Sequence, residues 1–102
     1  MKNRMRPIHP GEVLQEEFLR ELDMSANAFA QAIGVPANRV SGIIAGERSV
    51  TADTARRFAA ALETTPQFWL NLQSAYELRL EELEHPAGDI AKIKSVLRRR
   101  AS

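Results

Sequence analysis

The chain has 102 residues, 44% of them apolar and 26% charged, a balance that fits one ordinary globular domain and excludes a disordered or fibrous chain. Cysteine is absent, which removes disulfide scaffolds and thiolate metal sites or nucleophiles and fits a reducing, cytoplasmic location. The net charge of +1 is near neutral, and no long apolar run follows the basic start, so neither a signal peptide nor a membrane span is expected.

Residues 1–10 form a basic arm with Lys2, Arg4 and Arg6, interrupted by Pro7 and Pro10. From Glu12 to Leu22, Leu14, Phe18 and Leu22 recur at four-residue steps, the mark of an amphipathic helix, with Pro10-Gly11 at its start. Residues 11–23 set Arg20 against Glu12, Glu16, Glu17, Glu21 and Asp23, so the helix is strongly acidic. Ser25 is placed to cap a second helix carrying Ala26, Phe29, Ala30 and Ile33, and Gly34 is placed to end it in the left-handed region. Pro36, at a first helical position, opens a third helix running to about Ala45 and stopped by Gly46. Thr51 caps a fourth helix with Ala55, Phe58, Ala59 and Leu62 inside. Thr65-Pro66 starts a long fifth helix to about Leu83, broken by Pro86 and Gly88. Asp89 is expected to cap a short sixth with Ile90, Ile93 and Leu97 on one face and Arg98–Arg100 at its end. The fold class is therefore all-α. It comprises a five-helix domain over 11–83 with a long fifth helix, and a basic tail over 84–102 ending in a short helix.

Two short helices joined through Gly34-Val35-Pro36 have the spacing of a helix-turn-helix. Ala30 is small where the helices cross, and Val40, Ile43 and Ile44 point into the core. At 100° per residue, Asn38, Ser41, Gly42 and Ala45 share the opposite face, flanked by Ala37 and Arg39. An ordinary solvated face carries Lys, Glu or Gln. Small side chains instead let a helix sit deep in the major groove, where Asn pairs with adenine and Arg with guanine or phosphate. No acidic residue occurs from Met24 to Gly46. Donors near Ser25, Ala26 and Asn27, and the loop residue Arg48, are placed for phosphate. Ser25 and Thr51 also serve as caps, and Arg48 reads equally as an ordinary loop arginine.

On the fifth helix Trp69, Leu72, Tyr76, Leu80 and Leu83 repeat at steps of three, four, four and three, with Phe68, Leu70 and Leu78 beside them. That stripe is more than so small a domain needs for its own core. A dimer seam involving Phe68, Trp69, Leu72, Tyr76 and Leu80 is expected, with part of it packing inward. It would suit two half-sites about 34 Å apart on a palindromic operator. Catalysis is not expected: His9 and His85 are far apart, Glu16-Glu17 and Glu81-Glu82 are adjacent pairs on different helix faces, and no phosphate loop, metal spacing or cofactor motif occurs.

Met5-Arg6-Pro7-Ile8-His9-Pro10-Gly11-Glu12, the helix-turn-helix, Thr51-Ala52-Asp53-Thr54-Ala55 and Thr64-Thr65-Pro66-Gln67-Phe68-Trp69-Leu70-Asn71-Leu72-Gln73 together resemble the HigA family over about Arg6 to Arg79. These are phage-repressor-like antitoxins of bacterial toxin–antitoxin modules. The resemblance implies a homodimer that binds and represses its own operon. It also implies neutralisation of a cognate toxin, typically a small basic ribonuclease. It places the DNA-reading helix on Pro36–Ala45 and gives Ala37, Asn38, Arg39 and Ser41 the base-proximal role. The acidic faces at Glu12–Glu21 or Glu77–Glu84 fit a basic partner, or are plain solvated faces. The tail after Glu84 matches no part of the pattern. Two other functions remain: a free-standing or phage-derived repressor without a toxin, and an interaction module that has lost DNA binding.

Overall fold

A computed structural model describes residues 6–99 of the chain, so the first five residues of the expected basic arm and Arg100 lie outside the described residues. Helix α1 is continuous through three segments, Pro10–Val13, a π-helical Leu14–Leu19 and Arg20–Leu22. It is followed by α2 (Ala26–Ile33), α3 (Ala37–Ile44), α4 (Ala52–Leu62) and α5 (Pro66–Glu84). Two single turns, α6 (Gly88–Ala91) and α7 (Val96–Arg99), complete the described residues, which contain no strand.

Caps explain most of the boundaries. Ser25 Oγ accepts from the Ala28 N–H at 3.0 Å, and Thr65 Oγ1 accepts from the Phe68 N–H at 3.1 Å, satisfying donors that the first turn leaves unpaired. Thr51 Oγ1 does the same for the Thr54 N–H, more loosely, at 3.4 Å. Gly34 ends α2 with φ 74°, a conformation that costs glycine little. Pro36 is not the first residue of α3. Its ψ of 147° is extended, because the chain must still span the turn before it coils, and Ala37 begins the helix.

The first helix departs from its expected four-residue stripe. Leu14 and Leu19 are fully buried, Phe18 is half-buried and Leu22 is 55% exposed. Hydrogen bonding from i to i+5 in the π segment brings residues five apart onto one face, so Leu19 takes the inner position and Leu22 turns out beside Glu21 and Asp23.

The core is small and aromatic. Phe29, Phe58 and Trp69 pack in series, tilted and then edge-on, with centroids 5.5 and 5.0 Å apart, and Phe18 leans on Trp69 at 5.5 Å. Leu14, Leu19, Val40, Ile43 and Ala55 close around them. Each large side chain sealed there stabilises the fold by roughly 1.5–3 kcal/mol. Trp69 is part of this core, with its Nε1–H donating to Thr64 Oγ1 at 2.7 Å. Its complete burial within one protomer removes it from the expected seam.

Beyond the core the chain runs outward. Every residue from Glu81 to Leu97 is exposed, and the molecule measures 60 × 27 × 24 Å. The sixth helix expected from Asp89 onward is instead two separate turns. Ala87, without a side-chain acceptor, precedes the first of them. With no core beneath, a helix this short lacks the packing that would carry it through Lys92–Ser95. Among the described residues no helix is long and apolar enough to cross a membrane.

Candidate nucleic-acid interface

Helix α3 is held by its inner face, where Val40 and Ile43 are fully buried and Ile44 is half-buried. That fixes what faces out: Ala37, Asn38, Ser41 and Ala45 are exposed. These four side chains are short and uncharged, so the helix backbone lies close to whatever the face meets. Ser25 and Asn27, also exposed, stand at the start of α2, where the helix presents unpaired N–H groups.

Two arginines border this face in different ways. The Arg48 side chain lies across Gly42, where an added Cβ would sit 2.9 Å from Arg48 Cδ. Asn38, Ser41, Gly42, Ala45, Glu47 and Arg48 line one shallow depression, and Arg39, Arg48, Ser49, Thr51 and Thr54 line the next, so Arg48 serves both. Glu47 places a carboxylate at the rim. Arg39 leaves the outward row on its flank, where Nη1 donates to Asp53 Oδ2 at 2.6 Å. Arg57 Nε donates to the same carboxylate at 3.1 Å while its Nη1 caps the end of α2 by donating to the Ile33 carbonyl at 2.8 Å. Arg39, and then Arg57, hold the Asp53 carboxyl below the usual carboxylate range. The α2 end, the α3 flank and the α4 start are thus joined by one charged cluster.

A second set of contacts supports α3 and its following loop from beneath. Gly11 is pressed flat against α3: a Cβ there would lie 1.8 Å from the Ile43 carbonyl oxygen. His9 Nδ1 accepts from the Gly11 N–H at 2.9 Å, capping α1, and the ring also hydrogen-bonds the Arg48 backbone. The same ring stands edge-on to Tyr76 at 4.8 Å, and a Cβ added at Gly46 would lie 3.9 Å from its Cγ. Burial pushes the His9 imidazole below its ordinary value, outweighing the Arg48 backbone bond. From α5, Gln73 Oε1 accepts the buried Val50 N–H at 2.8 Å.

Tyr76 therefore braces His9, while Leu72 packs against the core, Leu80 is half-buried and Phe68 is 39% exposed. Gln73 and the partnership of Asp53 with Arg39 were not singled out from the sequence. Gln73 and Asp53 both lie in segments that carry the family resemblance, but their partners, 23 and 14 residues away, leave no periodic signal.

Known proteins share this sequence and fold. The sequence profile of the helix-turn-helix family matches residues 15–69. Antitoxin HigA-1 of Vibrio cholerae is 46% identical over 76% of this chain and 72% of its own length. Among solved structures, a Pseudomonas aeruginosa antitoxin HigA with higBA promoter is 41% identical and superposes with a TM-score of 0.84, over 89% of this chain and 99% of that one. Antitoxin GraA in complex with its operator is 47% identical with a TM-score of 0.82, over 94% of this chain and 97% of that one. By sequence profile, identity and superposition alike, this chain belongs to the helix-turn-helix family and, within it, to the HigA-type antitoxins, a class of DNA-binding proteins rather than enzymes.

Proposed function

We propose that the protein is an operator-binding antitoxin: as a homodimer it represses its own operon, and it neutralises a cognate toxin, a small basic ribonuclease. The outward face of α3 carries the DNA half of this reading. Its short, uncharged side chains end in Asn38 and Ser41, it holds no carboxylate, and Arg48 lies along its edge. Such a face fits the floor of the major groove, with Asn38 and Ser41 at base edges and Arg48 and the α2 N-terminus on the backbone. Arg39, shared with Asp53, reaches the groove wall more readily than its floor. That homologues were solved with promoter or operator DNA supports a DNA partner.

For the toxin, α1 is the better of the two acidic faces. Glu17, Glu21 and Asp23 are exposed around Leu22, which the π segment has turned outward, so charge and an apolar contact coincide. Complementary charge speeds capture of a basic partner, and the leucine gives it something to bury.

Two titrations of the full chain test the reading. One uses the promoter segment of its own gene; the other uses the product of the adjacent reading frame, with that product's ribonuclease activity followed. Both should saturate. Asn38→Asp should weaken operator binding by about 1–3 kcal/mol and leave toxin inhibition intact. Leu22→Asp with Glu21→Lys should do the reverse. Operator binding with no inhibited partner would leave a free-standing repressor.

A further inference from the structure

The stripe on α5 runs off the end of its own core. Trp69 and Gln73 are buried, Tyr76 and Leu80 are half-buried, and Leu83 is 47% exposed. The tail repeats the anomaly: Ile90, Ile93, Val96 and Leu97 are 68, 70, 69 and 75% exposed. Single exposed aliphatics are ordinary, but this many in so short a stretch mark a surface that something covers.

Charge says what covers it. Residues 77–84 carry four glutamates against Arg79, and residues 89–102 carry five basic residues against Asp89. The distal helix and the tail are therefore both apolar, with opposite charge. Pro86 and Gly88 turn the chain between them, yet the described part of the tail does not fold back onto its own α5: Ile90, Ile93, Val96 and Leu97 all stay exposed.

We infer that the tail of one copy covers the distal half of α5 in a second copy, reciprocally about a two-fold axis. Such an isologous exchange pairs each uncovered surface with its complement and closes the assembly at two. Lys92 and Lys94 then meet the glutamate edge that includes Glu81 and Glu84, and Ile93 and Leu97 extend the stripe that Leu83 begins. A DNA backbone would take the lysines and leave the aliphatic side chains in water. A basic toxin would be repelled by the same lysines. The inference rests on the dimer reading above and adds to it the segment that completes the interface.

Sedimentation equilibrium on the full chain tests it, with helicity followed by circular dichroism. The substituted positions lie outside the core, so the fold should be retained. Ile93→Asp with Leu97→Asp should raise the dimer dissociation constant about tenfold or more. Glu81→Lys with Glu84→Lys, and Lys92→Glu with Lys94→Glu, should each weaken the dimer, and combining the two sets should restore most of the loss. A dissociation constant unmoved by Ile93→Asp with Leu97→Asp, or a combined swap no better than its halves, would overturn the inference. So would unchanged dimerisation with weakened operator binding, which would make the tail a DNA arm. A wild-type chain that stays monomeric even with operator would instead overturn the dimer reading itself.

Discussion

Two glycines constrain α3 in opposite ways, Gly11 packed against it and Gly42 within it. At Gly11 the obstruction to any side chain is backbone: the Ile43 carbonyl and Ile44 Cα lie 1.8 and 2.7 Å from where a Cβ would be. Neither can move without displacing α3. Gly11→Ala should therefore destabilise the fold by on the order of 3 kcal/mol, read as a lowered midpoint in denaturant at unchanged slope. At Gly42 the neighbouring atoms belong to the Arg48 side chain, which can swing away. An alanine there should leave stability unchanged or raise it by up to about 1 kcal/mol, since glycine is a poor helix former. Operator affinity should nonetheless fall, and the salt slope of binding should flatten by about one contact, if Arg48 holds a phosphate as proposed. A Gly42→Ala chain that binds operator as well as the wild type would show that Arg48 contributes nothing from this position.

Among the elements, α1 was both the easiest to find and the hardest to place. Its acidic residues, its length and its proline start were legible because they depend on local chemistry. Its inner face was not, because a π turn changes which residues share a side without leaving a mark in the spacing of Leu14, Phe18 and Leu22. The α2–α3 pair was legible apart from the first residue of α3, since the Ser25 cap, Gly34, buried Val40 and Ile43 and half-buried Ile44 each act within a few residues. The tail failed for a different reason: periodic apolar residues promise a helix only where there is a core to receive them. The start of α1 also carries a titration. His9 is neutral in the fold, with burial holding it below its ordinary value of 6.5. The unfolded chain thus takes up a proton more readily than the folded one, and stability present above pH 6.5 is lost as the pH falls through the folded value. His9→Asn, which puts a capping oxygen in place of the ring nitrogen, should flatten this slope below about pH 6.5. Asp53 and Glu12, both held low by arginines, lose their stabilising contribution only at more acid pH.

In the whole molecule, α5 is the member that joins assembly to recognition. One end of its stripe is sealed into the core at Trp69 and the other projects beyond it, while Gln73 holds the Val50 N–H of the loop that carries Arg48 and Tyr76 packs on His9, whose ring bonds the Arg48 backbone. The operator contact proposed for Arg48 thus depends on how α5 sits, without any α5 side chain on the exposed face of α3. Gln73→Met keeps the volume but leaves the buried Val50 N–H without its acceptor, at a stability cost of about 1–3 kcal/mol. The loop would then relax toward a position where the Val50 N–H reaches water, carrying Arg48 with it. Well below the unfolding midpoint, operator binding should weaken on the order of tenfold, about 1.4 kcal/mol. The dimer dissociation constant should be unchanged, because Gln73 faces the loop and is buried inside the protomer. If Gln73→Met lost stability yet bound operator normally, the loop would be held by His9 alone. α5 would then govern pairing without governing recognition.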